Sequence, residues 1–292
     1  MGQAVVVGAG VGGLAAAGAL ARNGWKVTLL ERSDRLRADP AALLIWPNGV
    51  RALRSLGLAD GLMSIATPVP QGGVRRSDGS WLIQPGAAAA LSPRTAPLVV
   101  HSEDLHDALI ARLTATVDIR TGITVRQARS APRDRPSVTD GKATWEADLL
   151  IAADGVQSAV RRAVAPEADV VSSGYAAWRA VIPWYRAPAL PADVVLGSEI
   201  LGGDYRFLAA SLGDRGSAGA SSRGGIYWQA TVAGAARPEA PATQLTLLRR
   251  WFERWPAPVM DLLTATEAED LVQHDVREVE GSRLGPVQLL AG

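Results

Sequence analysis

Residues 5–32 constrain the fold more than any other stretch of the chain. Val5, Val6 and Val7 are β-branched and wholly apolar, the composition of a short strand buried on both faces. Gly8, Gly10 and Gly13 follow in the order G-x-G-x-x-G. Gly8 permits a tight turn out of the strand, Gly10 removes a side chain where a pyrophosphate must approach backbone, and Gly13 allows the next helix to pack closely. The alanine-rich spacing predicts that helix from about Gly12 to Asn23, closed by Asn23-Gly24. Lys26 to Leu30 reads as a second strand, and Glu31 closes it 18 residues after Gly13. A carboxylate there accepts hydrogen bonds from an adenosine ribose while phosphates sit over the helix N-terminus. It would repel a 2′-phosphate, so the motif suits the adenosine half of FAD or NAD, not NADP.

Composition narrows the remaining classes. The 292 residues are 48% hydrophobic, enough for a substantial core in one or two domains. Thirty basic against 29 acidic residues leave a formal charge of +1, and no basic run exceeds two residues, so there is no nucleic-acid footprint. Cysteine is absent, which excludes disulfides, a thiol nucleophile and thiolate-held iron–sulfur clusters. With three histidines, no metal site is expected. No apolar run reaches the length of a membrane span, and the chain opens directly on a core strand, so the expected location is cytoplasmic.

Along the chain, helical patterns occur at Gly49–Leu58, after Ser102, and at Ala242–Trp255, where Leu245, Leu248, Phe252 and Trp255 fall on one side. Ser102 is read as an N-cap, with Glu103 and Asp104 in the first turn. Asp148 to Ala152 reads as a buried strand delivering Asp154-Gly155 at its carboxyl end, where α/β sheets bind ligands. An Asp-Gly turn with a helix cap is the plainer alternative there, and Arg161 is equally compatible with a surface helix position. Val181–Trp184, Val194–Ile200, Tyr205–Ala210 and Ile226–Val232 are strand-like and separated by Gly, Pro and Asp, the pattern of an antiparallel sheet inserted into an α/β domain. Leu271–Val276 and Val287–Leu290 are further strand candidates.

Three stretches resemble the class A flavoprotein aromatic hydroxylases, the p-hydroxybenzoate hydroxylase-like FAD-dependent monooxygenases. They are Gly8/Gly10/Gly13 with Glu31-Arg32, Pro47-Asn48 with Ala52-Leu53 and Leu56-Gly57, and Asp148 through Asp154-Gly155 to Ser158 and Arg161. Tyr175 to Arg179 is similar to the strand that follows in that family. The resemblance implies an α/β fold: a Rossmann-like FAD-binding domain of glutathione-reductase-like topology with an inserted, mainly antiparallel substrate domain. The expected partition is 1–70, 98–168 and 271–292 for the FAD-binding domain, and 71–97 and 169–270 for the substrate domain. It implies FAD contacts from Gly8, Gly10, Gly13, Glu31, Arg32, Asn48, Ser102, Asp154, Gly155 and Arg161. Trp178, Arg179, Tyr205, Phe207 and Trp228 become candidate substrate contacts, with Trp184 and Tyr227 beside them. Arg179 is read as orienting either flavin or an anionic substrate. No catalytic acid or base stands out.

The implied reaction is hydroxylation of a small aromatic substrate by O2 through a flavin C4a-hydroperoxide, with NAD(P)H as electron donor. Another FAD oxidoreductase of the same fold, or an inactive fragment, is the alternative. Family members place an arginine near the flavin where this chain has Ser102, and a glycine near Asp39-Pro40-Ala41-Ala42 is missing. The chain closes at Gly292, where the family's second, Gly-Asp flavin motif would begin, so a C-terminally truncated form is expected. A second copy or a complementing C-terminal chain would then cover the apolar face left open.

Overall fold

The computed structural model describes residues 1–59, 61–70, 72–85, 96–129, 134–213 and 223–280. In chain order the first half contains β1 (Gln3–Val7), α1 (Val11–Arg22), β2 (Lys26–Leu30), β3 (Ala42–Ile45), α2 (Pro47–Ser55), α3 (Leu62–Ile65), β4 (Ala66–Pro68), β5 (Val74–Arg76) and β6 (Trp81–Ile83). There follow β7 (Leu98–His101), α4 (Ser102–Leu113), β8 (Val117–Arg120), β9 (Gln127–Arg129), β10 (Ser137–Thr139), β11 (Thr144–Glu146), β12 (Leu149–Ala152) and α5 (Ala159–Val164). The second half holds β13 (Asp169–Pro183), β14 (Glu199–Gly202), β15 (Tyr205–Gly213), β16 (Gly225–Ala233), α6 (Pro241–Trp251), α7 (Val259–Ala265) and β17 (Val272–Glu280).

The opening valines do what their composition demands. β1 lies inside a parallel sheet of order β12-β1-β2-β8, hydrogen-bonded on both edges. Its side chains alternate between two cores. Ala4 and Val6 meet Leu14 and Ala17 of α1 and Leu105, Leu109 and Leu113 of α4. Val5 and Val7 face the other way, onto Val138 of the small β11-β10-β9 sheet and Val160 of α5. A strand buried on both faces reads as a continuous apolar run for this reason.

A seven-stranded sheet, β17-β13-β16-β15-β14-β5-β6, forms the second half. It is antiparallel apart from the β14–β5 pair. Its two faces separate by the strand period of two. Trp178, Ala180, Ile182, Phe207, Ala209, Trp228 and Ala230 lie under α6 and α7, packed on Leu245, Leu248, Phe252 and Leu262. Val181, Ala210, Leu212 and Tyr227 turn the opposite way and pack on Ala42, Val69 and Val99 of the three-stranded sheet β3-β7-β4. That sheet is the joint between the two halves.

Two expectations move. The sequence reading places 271–292 in the FAD-binding domain, whereas β17 pairs antiparallel with β13 at the edge of the large sheet. β13 is 15 residues long, and an unpaired edge of that length would expose a row of backbone donors and acceptors that β17 satisfies. Val287–Leu290 lies outside the described residues. Ser102 is also not the N-cap of α4: His101 holds that position, its Nδ1 accepting the Glu103 amide, and Ser102 is the first helical residue.

Candidate active site

The carboxyl ends of β1 and β12 open into a cleft of about 670 Å³. Gly8 leaves β1 at φ +100°, a conformation that side-chain-bearing residues rarely adopt. A Cβ on Gly13 would stand 1.9 Å from the Gly8 carbonyl oxygen, so only glycine lets α1 begin this close to the turn. Gly10 is different: it lines the cleft, and a Cβ there would meet nothing within 4 Å. Its missing side chain leaves open the space in front of the α1 N-terminus, where the first amides lack intrahelical partners.

Two residues pin this turn through Ala9. The Ala9 amide donates to Glu31 Oε2 at 2.8 Å, and Glu31 Oε1 accepts the Ser33 amide at 2.9 Å. On the far side His106 Nε2 donates to the Ala9 carbonyl at 2.7 Å. Glu31 therefore holds the turn with one lone pair of each oxygen and keeps others as acceptors toward the cleft.

Asp154, just beyond β12, divides its carboxylate in the same manner. Oδ2 accepts the Ala159 and Val160 amides at 2.8 and 3.3 Å and so caps α5, beside Ser158, whose Oγ accepts the Arg161 amide at 2.9 Å. Oδ1 is buried and, among the described residues, has no partner. A buried orphan acceptor on the wall of an open cleft is the mark of a missing donor. Arg32, Arg37 and Arg162 line the same cleft with Glu31, Asp39 and Asp154. The donor set fits a dinucleotide: an acid for ribose, an open helix N-terminus and guanidiniums for pyrophosphate, and an orphan acceptor for a hydroxyl.

The expected site residues divide. Gly8, Gly10, Glu31, Arg32, Asp154 and Gly155 line the cleft, and Gly13 supports it. Asn48 is exposed at the start of α2 and is not among the cleft-lining residues. Ser102 acts on the chain leading to β3: its Oγ donates to the carbonyls of Asp39 and of Ala41 (2.8 Å for the latter) and accepts the Ala41 amide at 3.1 Å. Arg161 turns inward, its guanidinium donating to the Val156 carbonyl at 2.7 Å. Sequence reasoning missed Arg37 and Arg162, which belong to no spaced motif, and His106, whose partner is 97 residues away.

On the large sheet, Trp178, Phe207 and Trp228 are core residues on the face turned away from the β3-β7-β4 layer. Trp178 Nε1 donates to Gln244 Oε1 at 3.0 Å, Trp228 Nε1 donates to Thr266 Oγ1 at 2.9 Å, and Phe207 stacks on Trp228. Tyr205 packs edge-on against Trp251 and Phe252. Trp184 is partly exposed at the end of β13, edge-on to Tyr185. Of the residues named in advance, Arg179 and Tyr227 alone point to the layer joint. The Tyr227 hydroxyl donates to Gln229 Oε1 at 2.9 Å, and Gln229 Nε2 donates to Thr231 Oγ1 at 3.5 Å. Burial pushes the Tyr227 phenol up to about 12, against the opposing pull of Arg179. His274 stands on the same face; burial first, and Arg179 next, hold its imidazole below the ordinary value, with Asp39 and Asp275 pulling the other way. Asp39 thus links this face to the cleft.

A family model described as an FAD binding domain matches residues 1–183. The chain belongs to the FAD-binding, aromatic-hydroxylase-like monooxygenase family. It is 36% identical over 213 residues to a 2-heptyl-3-hydroxy-4(1H)-quinolone synthase of Mycobacteroides abscessus, a match covering 71% of this chain and 54% of that protein. It is 28% identical over 310 residues to an FAD-dependent urate hydroxylase of Klebsiella pneumoniae, covering 99% and 73%. The fold is shared with Klebsiella pneumoniae HpxO complexed with FAD and uric acid, at a TM-score of 0.76 and 24% identity over 95% of this chain and 68% of that one. The chain spans about half the length of the first of these relatives. Among the described residues no helix is long and apolar enough to cross a membrane, and no group of His, Asp and Glu is arranged to hold a metal.

Proposed function

We propose that this chain binds FAD in the β1/β12 cleft and carries out, or forms the larger part of an enzyme carrying out, monooxygenation of a small aromatic or heteroaromatic substrate with NAD(P)H and O2. The observation that carries this reading is the pairing of Glu31 and Asp154 across one cleft. Each carboxylate is anchored by backbone amides and each keeps acceptor capacity toward the space before the α1 N-terminus. Relatives named for urate hydroxylation and for a 3-hydroxy-4-quinolone product support a flat ring as substrate.

Bound FAD would supply the redox chemistry, taking electrons from the nicotinamide and delivering them to O2. The chain's own contribution is position and environment. Glu31 orients the adenosine ribose, Arg32, Arg37 and Arg162 offset pyrophosphate charge, and Asp154 Oδ1 accepts a cofactor hydroxyl. The joint between β3-β7-β4 and the large sheet is packed by Ala42, Val99, Ala210 and Tyr227, and it keeps water from the substrate side. Residues 1–70 and 98–168 form the FAD-binding unit in this reading, and β17 joins the substrate sheet.

The test is a titration of the purified chain with FAD, followed by oxidation of NADH and NADPH and uptake of O2 with a panel of phenols and hydroxylated heteroaromatics. Stoichiometric FAD binding with substrate-stimulated nicotinamide oxidation and a hydroxylated product supports the reading. A folded chain that binds no FAD, alone or with a complementing C-terminal segment supplied, overturns it.

A further inference from the structure

The turn before α1 contains a peptide plane that glycine leaves free to rotate. Gly10 stands at φ −68° and ψ 176° and lines the cleft with no side chain to restrain it. In a trans peptide the carbonyl and the amide that follows it point in opposite directions. The Ala9 carbonyl turns inward to buried His106, so the Gly10 amide turns outward, toward the cleft. Among the described residues no acceptor takes that amide. Rotating the Ala9–Gly10 plane by half a turn would carry the Gly10 φ to about +110°, a region that glycine alone enters freely. The carbonyl oxygen would then face the cleft and repel a phosphate. The missing side chain that clears the cleft therefore also removes the restraint on this peptide.

His106 supplies the restraint from another element. α4 is packed on α1 through Leu105, Leu109 and Leu113, and His106 is only 2% exposed. Its Nε2 lies 2.7 Å from the Ala9 carbonyl oxygen. A carbonyl only accepts, so Nε2 carries the proton. Nδ1 is buried and has no partner among the described residues, which leaves Ala9 as the ring's one polar commitment. Glu31 fixes the preceding peptide through the Ala9 amide. The two peptides that flank Ala9 are thus held by separate side chains, and the one held by His106 carries the amide offered to the cleft.

We propose that His106 is a positioning residue for the cofactor pyrophosphate: it locks the Ala9–Gly10 peptide with the Gly10 amide facing the cleft as a donor to phosphate. The proposal rests on the reading of the cleft as an FAD site. Removing the donor leaves the Ala9 carbonyl buried and unpaired, and the plane turns to satisfy it elsewhere. The loss falls on the phosphates and spares the adenosine, whose ribose is assigned to Glu31.

The test uses the full 292-residue chain with FAD, ADP and adenosine as probes, the last lacking phosphate. Alanine carbonyls labelled with 13C and glycine amides labelled with 15N pick out Ala–Gly peptides by NMR, and Gly10→Ala assigns the one between Ala9 and Gly10. FAD and ADP should shift the Gly10 amide, and adenosine should leave it in place. His106→Leu should move the Ala9 carbonyl resonance in the ligand-free chain. It should weaken FAD and ADP about tenfold or more, the scale of one hydrogen bond to a charged group, and leave adenosine unchanged. His106→Gln, whose amide nitrogen replaces Nε2 as donor, should recover most of the loss. A merely structural His106 would weaken all three probes alike, and that result overturns the proposal, as does full ADP affinity in folded His106→Leu. A wild-type Gly10 amide unmoved by bound ADP overturns it even if neither variant folds. ADP binding with a shifted Gly10 amide but no FAD binding, even with a complementing C-terminal segment, defeats the flavoenzyme reading alone. FAD binding with an unmoved Gly10 amide defeats the role of His106 alone, and binding of none of the three defeats both.

Discussion

Asp154 offers the sharpest separation of binding from stability, because its two oxygens do different work. Oδ2 accepts the Ala159 and Val160 amides at the start of α5, and Oδ1 is buried beside the cleft without a partner among the described residues. Asp154→Ala removes the two amide contacts that Asp154 adds to the Ser158 cap, which costs about 1–2 kcal/mol. At roughly 2–4 °C per kcal/mol for a chain of this size, thermal unfolding should fall by about 2–8 °C. Asp154→Asn keeps an oxygen for the amides and loses only the charge at a helix N-terminus, about 0.3–1 kcal/mol. Both variants lose the ionised acceptor offered to the cofactor, worth about 1.5–3 kcal/mol, so FAD affinity should fall about 10- to 150-fold in each. The assays are a thermal melt of the FAD-free chain and a flavin fluorescence titration. Asp154→Asn binding FAD like the wild type would refute the assignment of Oδ1. Equal melting of the two variants would refute the contribution of Asp154 to the start of α5.

The turn glycines make a second pair: Gly13→Ala forces a Cβ to within 1.9 Å of the Gly8 carbonyl oxygen and should cost about 3 kcal/mol, while Gly10→Ala enters open space and should melt like the wild type yet bind FAD weakly. The His101 imidazole, the buried cap of α4, is pushed below 6.5 chiefly by burial. The stability it contributes is therefore present above about pH 6.5 and lost as pH falls through the depressed folded value. Denaturant unfolding of His101→Asn, which keeps a capping acceptor but does not titrate, should show a shallower acid limb, and an unchanged slope would refute this. Trp178→Phe should lower stability by about 1–3 kcal/mol through the lost bond to Gln244 and leave FAD binding unchanged, since Trp178 faces α6; weakened binding in titrations of the folded variant would put Trp178 in the site.

The aromatic residues show where reading a sequence stops. Strand period two places Trp178 and Arg179 on opposite faces, but it does not say which face a helix layer covers. The long-range packing of α6 and α7 decides that, and it turns Trp178, Phe207 and Trp228 into core. Ser102 illustrates a local misreading. Serine before two acids is a sound N-cap signal, yet His101 takes the cap and frees Ser102 to fasten residues 39–41, a partnership across 61 residues that no local pattern carries.

What the sequence determined by itself is the dinucleotide end of the molecule. A buried valine strand, three glycines, a helix and an acid are local in the chain, and their chemistry depends on backbone sterics that hold in any context. The Asp154 turn was legible for the same reason. Tertiary structure alone decided the rest: that β17 completes the large sheet instead of the FAD-binding layer, that His106 and Glu31 grip Ala9 from two sides, and that Arg179, Tyr227 and His274 converge on one face. Those contacts join residues distant in the chain, and only strand pairing within the large sheet and the packing of α4 beside the β1–α1 turn bring them together.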